Sequence, residues 1–349
     1  MASAQTTIRV GVIGAGANTR LHHIPKLQRI AGVEVVSVCN RSRASSEQVA
    51  RDFGISQVYD RWEDLIAAPD THAIVIGTWP YMHCPLTLAA LAAGKHVLCE
   101  ARMARNAREA HRMEAAAQAR PHLVAQLVPS PLTLRVDKTV QRLLAEGFVG
   151  DLLAVDVRDG NTFLNLQAPL HWRQDFDLSG YNTLSLGIWY EAILRWIGEA
   201  NSVMAMGQTF VRQRGDASGR LRAIRVPEHL DVVAEMACGA QLHLQCSSIS
   251  GFAGPATATL FGSQGTLRFA EGKLYVGQAG EAGLVEIPIP TEEAGSWRVE
   301  EEFVQAIRRE RDVTLTPFDV GVKYMEFTEA VARSMVERRV VSLPLGEGV

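Results

Sequence analysis

Residues 8–16 read IRVGVIGAG, and this stretch decides the fold of the first third of the chain. The β-branched run Ile8–Ile13 leads straight into Gly14-Ala15-Gly16. A strand that ends in such a turn and then enters a helix opens a strand–helix–strand unit. Glycines here permit a tight turn and let backbone N–H groups approach a diphosphate at the N-terminus of the next helix, which Ala17 and Asn18 begin. The third small residue of the full pattern is replaced by Thr19. The competing reading, a tight turn that binds nothing, is weakened by the position of the turn directly after the first strand.

Working outward, further apolar runs follow at Val33–Cys39, Ala73–Gly77, His96–Cys99 and Leu123–Gln126. Helix-like stretches separate them: Arg20–Ile30, Ser45–Phe53, Arg61–Ala67, Pro85–Ala93 and Ala107–Ala119. Continuous apolar strands alternating with helices predict a doubly wound parallel sheet, a Rossmann domain over residues 1–126. After Gly150 the pattern changes to alternating segments at Leu152–Arg158, Val203–Arg212, Val232–Met236, Gln241–Ser247, Ala256–Phe261 and Gly265–Phe269. These predict a mostly antiparallel sheet with one covered face, so residues 127–349 form an α+β domain. Helices are expected at Thr183–Ile197, Val299–Arg308 and Val320–Glu337, the last packing back on the first domain. Arg212–Arg222 and Ala279–Leu284 read as exposed loops, and the acidic start of Val299–Arg308 as an ordinary helix N-terminus.

Composition excludes several classes. Of 349 residues 47% are apolar and 21% charged, which fits a globular chain and not a disordered one. A net charge of -3 argues against nucleic acid as partner. No apolar run is long enough for a membrane helix, and the opening MASAQTTIRV lacks a secretion signal. Five cysteines without a C-x-x-C pair fit a reduced, cytoplasmic protein without structural zinc. His22-His23 has no ligand partner at metal-site spacing, so no metal is expected.

The second strand ends in Cys39-Asn40-Arg41-Ser42-Arg43. An acidic residue at this point would take a ribose 2′-hydroxyl; a neutral Asn40 followed by Arg41, Ser42 and Arg43 favours a 2′-phosphate. NADP(H) is therefore expected ahead of NAD(H), the alternative being that both arginines are solvated surface charges.

Four motifs then stand in a particular order: Gly14-Ala15-Gly16 with His23 and Pro25, Thr78-Trp79-Pro80 with His83, Ala92–Val97 (AAGKHV), and His171-Trp172-Arg173 followed by Ser179-Gly180. In this the chain resembles, end to end, the Gfo/Idh/MocA family, that of glucose–fructose oxidoreductase and inositol dehydrogenase. The resemblance implies an open-faced sheet domain after the coenzyme domain and pairing of subunits through that sheet, as a homodimer or homotetramer. It implies coenzyme contacts from Thr78, Trp79, Pro80, His83, Glu100 and Arg102, and substrate contacts from His171, Trp172, Arg173 and Trp189.

The resemblance breaks at the catalytic positions. The family's E-K-P is Glu100-Ala101-Arg102 here, and its D-x-G-x-H is Ser185-Leu186-Gly187-Ile188-Trp189. Oxidising an alcohol needs a group that takes the hydroxyl proton. Tryptophan cannot, because its only polar atom is a donor. On an uninterrupted helix Tyr181, Ser185, Ile188, Trp189 and Ala192 share a face, so Tyr181 is the candidate acid/base, Arg102 the cation that lowers its pKa, and Ser185 a relay. The structural alternative is a Tyr181 that merely packs at the helix start. Trp79, Trp172, Trp189 and Tyr181 would make an aromatic pocket, which suits a small cyclic or aromatic-derived substrate. The expected activity is NADP(H)-dependent oxidation or reduction of a hydroxyl or carbonyl. The alternatives are a non-redox lyase, hydratase or hydrolase that uses the nucleotide transiently or structurally, and a nucleotide-binding protein without catalysis.

Overall fold

The computed structural model describes residues 7–346. Residues 1–6, part of the opening read as lacking a secretion signal, lie outside the described residues. The chain divides into two compact units, one comprising Met1–Pro129 with Arg298–Val322, the other Ser130–Trp297 with Lys323–Val349.

The first unit holds a six-stranded parallel sheet. Its strands are β1 (Ile8–Ile13), β2 (Val33–Cys39), β3 (Gln57–Val58), β4 (Ala73–Ile76), β5 (His96–Cys99) and β6 (Ala125–Leu127), in spatial order β3-β2-β1-β4-β5-β6. Between them run α1 (Ile24–Arg29), α2 (Arg43–Phe53), α3 (Trp62–Ala67), α4 (Pro80–Ala92) and α5 (Ala107–Gln118). Every residue of β4 is buried, as a central strand covered on both faces must be. The order reverses at β1/β4, the switch point at which such sheets bind ligands beyond their carboxyl ends. The edge strand β3, two residues long, is too short to carry a hydrophobic period and was absent from the predicted elements.

The second unit begins with α6 (Asp137–Ala145) and β7 (Leu152–Asp159), followed by α7 (Phe176–Ser179) and α8 (Leu186–Ile197). Strands β8 (Ala200–Gln208), β9 (Gln213–Gly215), β10 (Leu221–Ala223), β11 (His229–Met236) and β12 (Gln241–Ser247) come next. After them stand β13 (Thr257–Gly262), β14 (Gly265–Ala270), β15 (Lys273–Gln278) and β16 (Val285–Ile287). The chain closes with α9 (Val299–Ile307), α10 (Phe318–Glu337) and β17 (Val341–Ser342). Nine of these strands make one sheet in the order β16-β15-β14-β13-β7-β12-β11-β8-β17, antiparallel except for the β7/β12 pair. Register sorts its faces. The row Ala205, Val232, Leu244, Val157, Ala258, Phe269 points to the core, whereas Met204, Val233, His243, Asp156, Thr259 and Arg268 line the opposite face. On the core side Trp189 of α8 meets Phe269 edge to face, with ring centroids 6.1 Å apart.

Three expectations need correction. Arg212–Arg222 is no simple loop: β9 and β10 pair within it as a hairpin. The helix expected from Thr183 starts at Leu186, because Gly180 (φ 64°) and Leu184 (φ 46°) hold left-handed conformations that an α-helix excludes. The acidic start of α9 is a helix N-terminus, with Glu300, Glu301 and Glu302 in its first turn, but more than an ordinary one. Glu300 is 1% exposed, and Glu302 is buried where it accepts from Gln126 Nε2, Thr314 N and Thr314 Oγ1.

Candidate active site

In the first unit, the side chains expected at the coenzyme gather at the carboxyl ends of β1, β2, β4 and β5. Gly14 takes φ 83°, and a Cβ there would collide with Thr78. The Gly16 N–H closes the turn onto the Gly14 carbonyl at 2.8 Å. Gly16 and Ala17 then lead into a helix whose first-turn amides have no partners within the helix. An open depression lined by Ala15, Gly16, Ala17, Arg20 and Leu21 lies there. Thr19, in the place of the third glycine, is buried against β4. It fits because residue 77 is glycine, whose absent Cβ would otherwise overlap the Thr19 hydroxyl and the Gly14 carbonyl. The helix is wound as a π turn over Thr19–His23 before α1, a form that recurs at functional sites.

Asn40 braces the turn: its Oδ1 accepts from the Ala15 N–H at 2.7 Å while its Nδ2 donates to Ser45 Oγ. Ser42 caps α2 by accepting from the Ser45 N–H. Arg43 is exposed and already bound by Glu47 (2.9 Å) and Asp60 (2.8 Å). Arg41 instead lies over the Trp79 ring, 5.8 Å from its centroid. Trp79 and Pro80 start α4, and the Thr78 hydroxyl is buried without a hydrogen bond. His83, fully buried, spans two loops, with Nδ1 2.9 Å from the Arg102 carbonyl and Nε2 2.9 Å from the Thr78 carbonyl. Burial lowers its pKa against those carbonyls, which favour the charged ring. Lys95 of the AAGKHV motif has a structural task, donating to the carbonyls of Ala68 and Thr71.

Glu100, just past β5, is held by three partners. It accepts from Asn18 Nδ2, from the Ala101 N–H, and lies 3.0 Å from His23 Nε2. The other ring nitrogen of His23 lies 2.7 Å from Glu300 Oε1. Burial opposes charge on both partners, but the hydrogen bonds and opposite charges outweigh it. His23 is pushed up to about 9 and Glu100 held down to about 2. Lys26 adds a second cation 4.0 Å from Glu300. Both carboxylate partners of His23 come from distant segments, outside any local metal-ligand spacing.

In the second unit, Tyr181 sits in the turn between α7 and α8, half-buried, its ring edge to face with Phe176 at 5.3 Å. It therefore does not share a helical face with Ser185 and Trp189. Ser185 occupies the N-cap position of α8, its hydroxyl 3.4 Å from Cys246 Sγ. Trp189 is 1% exposed, and its indole N–H donates to Asp159 Oδ2 at 2.9 Å, so it serves the core and does not line an open pocket. His171 caps a short 3-10 turn, its pKa lowered by burial and then by the Arg173 charge. Arg173 stacks on Trp172, 4.4 Å from the ring centroid. The β9–β10 hairpin fastens this stretch. Arg222 reaches Asp177 at 2.9 Å, the Leu170 N–H donates to the Gly215 carbonyl at 2.8 Å, and buried Arg214, paired with Glu228, donates to the Asn165 and Ala168 carbonyls.

Among the described residues no group of three or more His, Cys, Asp or Glu side chains could hold a metal, and no helix is long and apolar enough to cross a membrane.

Two family models match, one described as an oxidoreductase family with an NAD-binding Rossmann fold (residues 8–126), the other as the GFO/IDH/MocA C-terminal domain (residues 138–268). The chain belongs to the GFO/IDH/MocA oxidoreductase family. Members are NAD(P)-dependent oxidoreductases. Trans-1,2-dihydrobenzene-1,2-diol dehydrogenase of Oryctolagus cuniculus is 31% identical over 52% of this chain, a match that spans about half (53%) of that relative's length. The Sus scrofa enzyme of the same name is 28% identical over 74% of this chain and 71% of its own. Levoglucosan dehydrogenase, solved with NADH and L-sorbose, superposes with a TM-score of 0.83 at 21% identity, covering 97% of this chain and 99% of that one. That likeness establishes the GFO/IDH/MocA fold. The glycine turn, the free helix amides and the Thr78 hydroxyl fit a dinucleotide at the carboxyl ends of β1 and β4.

Proposed function

We propose that this GFO/IDH/MocA protein is an NADP(H)-dependent oxidoreductase acting on a hydroxyl or carbonyl of a small cyclic substrate, with a proton-transfer set of its own. The observation that carries the reading is the β1 turn, where Gly14, Gly16 and the Thr19–Gly77 packing leave backbone amides open at a helix N-terminus. When bound, the nicotinamide supplies or accepts the hydride. Gly16, Ala17 and Asn18 would hold the diphosphate, and Thr78, Trp79, Pro80, Glu100 and Arg102 would surround the remainder of the coenzyme, with His83 buried behind them against the Thr78 and Arg102 carbonyls. Preference for the 2′-phosphate rests on the neutral Asn40, the Ser42 hydroxyl and Arg41, because Arg43 is compensated by Glu47 and Asp60.

Tyr181 is the proton carrier in this reading. His171, Trp172 and Arg173 contact the substrate. A cyclic substrate is favoured by the aromatic content of that stretch and by the names of the relatives, whose own substrate is a ring diol. Subunits pair through the outer face of the nine-stranded sheet, where Met204, Met206 and Val233 are exposed side by side.

A second reading has its own support. Ala101 cannot hold or move a proton, and Trp189 is locked onto Asp159, so a lyase or hydratase that keeps the nucleotide without net redox change is the next candidate. One assay separates them: NADPH and NADP+ are offered with dihydrodiols, keto acids and sugars while absorbance of the reduced coenzyme is followed. Net absorbance change supports the oxidoreductase. Product without absorbance change supports the second reading and overturns the first.

A further inference from the structure

A run of hydrogen-bonded side chains links α9 to the glycine turn. Glu300, in the first turn of α9, lies 2.7 Å from Nδ1 of His23, whose Nε2 lies 3.0 Å from Glu100 Oε1. The same Glu100 oxygen accepts from Nδ2 of Asn18, a residue just past Gly16. All of them belong to the first unit, because Arg298–Val322 folds back onto it. His23 and Glu300 are buried, whereas Asn18 is exposed.

Asn18 has a helical backbone at the start of the π turn, and its side chain caps no amide. Its carboxamide has a donor end and an acceptor end. An ionised carboxylate only accepts, so Glu100 fixes which end faces it and leaves a second Nδ2 hydrogen without a protein acceptor among the described residues. The arrangement also needs a charged ring at His23. A neutral imidazole carries one N–H, so it would donate to one carboxylate and set a lone pair against the other. Burial opposes the charge, but the hydrogen bonds to Glu100 and Glu300 prevail and push the ring up to about 9. Lys26, 4.0 Å from Glu300, supplies the balancing cation. Of the other groups under the Glu100 charge, burial lowers His83 and raises the Cys99 thiol, so both stay neutral where His23 titrates.

We propose that His23 and Glu300 are positioning residues for the coenzyme: acting through Glu100, they present the donor end of the Asn18 carboxamide to the diphosphate. The proposal deepens the NADP(H) reading above and rests on it for the ligand. An N–H aimed at a phosphate oxygen makes a charge-assisted hydrogen bond, whereas a flipped carboxamide would oppose its own oxygen to the anion. Loss of the His23 proton breaks one of its two carboxylate contacts and releases the orientation, so coenzyme affinity falls as that proton leaves.

The test is titration of NADP+ into the full chain by calorimetry from pH 7 to pH 10, with circular dichroism confirming the fold at each pH. The wild-type Kd should rise about three- to tenfold over the His23 titration, the effect of one hydrogen bond, and this arm needs no variant. Glu300→Gln keeps an acceptor but removes an anion, which makes the His23 proton easier to lose and moves the rise to lower pH. Asn18→Ala should weaken NADP+ by a similar factor at pH 7 and abolish the rise, and adding Glu300→Gln to it should change nothing further. A pair with a merely structural role would instead weaken the coenzyme equally with or without Asn18. A wild-type Kd that stays constant across this range overturns the proposal and leaves the coenzyme reading standing, as does a Glu300→Gln effect undiminished in the Asn18→Ala background. Wild-type protein that gives no heat with NADP+ or NAD+ overturns the coenzyme reading and the proposal with it.

Discussion

His23 carries a carboxylate at each ring nitrogen, and this single residue gives the first unit a pH signature. Its folded pKa of about 9 lies above the ordinary 6.5, so its stabilisation is complete below pH 6.5 and is lost as pH rises through 9. His96 runs the other way. Burial, then the charges of His122 and His72, lower it to about 4, and its Nδ1 accepts from the Val124 N–H; stability is therefore lost as pH falls from 6.5 towards 4. Thermal unfolding followed across pH should peak near 6.5. His23→Gln should lower stability by about 3 kcal/mol, leaving two buried carboxylates without their shared cation, and should flatten the alkaline limb. An alkaline limb unchanged in that variant would refute the assignment. Tyr181→Phe should cut turnover by about a hundredfold or more with coenzyme affinity unchanged; full retained turnover would remove Tyr181 as proton carrier. At this scale the sequence was readable only where a residue's partners are local. Glu300 meets His23 across 277 positions of chain, and nothing in an acidic helix start reveals that.

Among the elements, the β1 turn was legible because a strand, two glycines and a helix are a local pattern. Its substitute for the third glycine was not, since Gly77 belongs to another strand end. Gly77→Ala should press on Thr19 and on the Gly14 carbonyl, cost about 1–3 kcal/mol and weaken coenzyme binding, and adding Thr19→Gly should recover only the part owed to the Thr19 side chain, because the Gly14 carbonyl stays in the way. Calorimetry and thermal melts on the two variants decide it, and a double variant no better than the single one would contradict the packing argument. The α8 start was misplaced for a similar reason. Helical periodicity continues through Tyr181 in the sequence, but Gly180 and Leu184 break the backbone before the pattern does. The β9–β10 hairpin was hidden by polar, glycine-containing text, although buried Arg214 makes it a clamp. Arg214→Met should strand Glu228, cost about 3–5 kcal/mol and expose the chain around Asn165–Ala168 to limited proteolysis; cleavage at the wild-type rate would contradict that role.

For the molecule as a whole, the change from buried parallel runs to alternating segments was enough to separate a coenzyme unit from a sheet unit. The compact units differ from the linear division expected at residue 126: the first runs to Pro129, Arg298–Val322 returns to it, and the last helix, expected to pack back on the first domain, lies from Lys323 onward in the second. The candidate site was legible where the glycine turn and the ends of β2, β4 and β5 carry it, and poorly legible where core packing claims a residue, as with Trp189. The account depends most on the grip of the β1 turn and Arg41 on a dinucleotide phosphate. Titrating the full chain with NADP+ and NAD+ in a calorimeter tests this directly: both should bind, NADP+ about tenfold more tightly, with the difference erased by Arg41→Ala. No heat with either coenzyme would contradict the account.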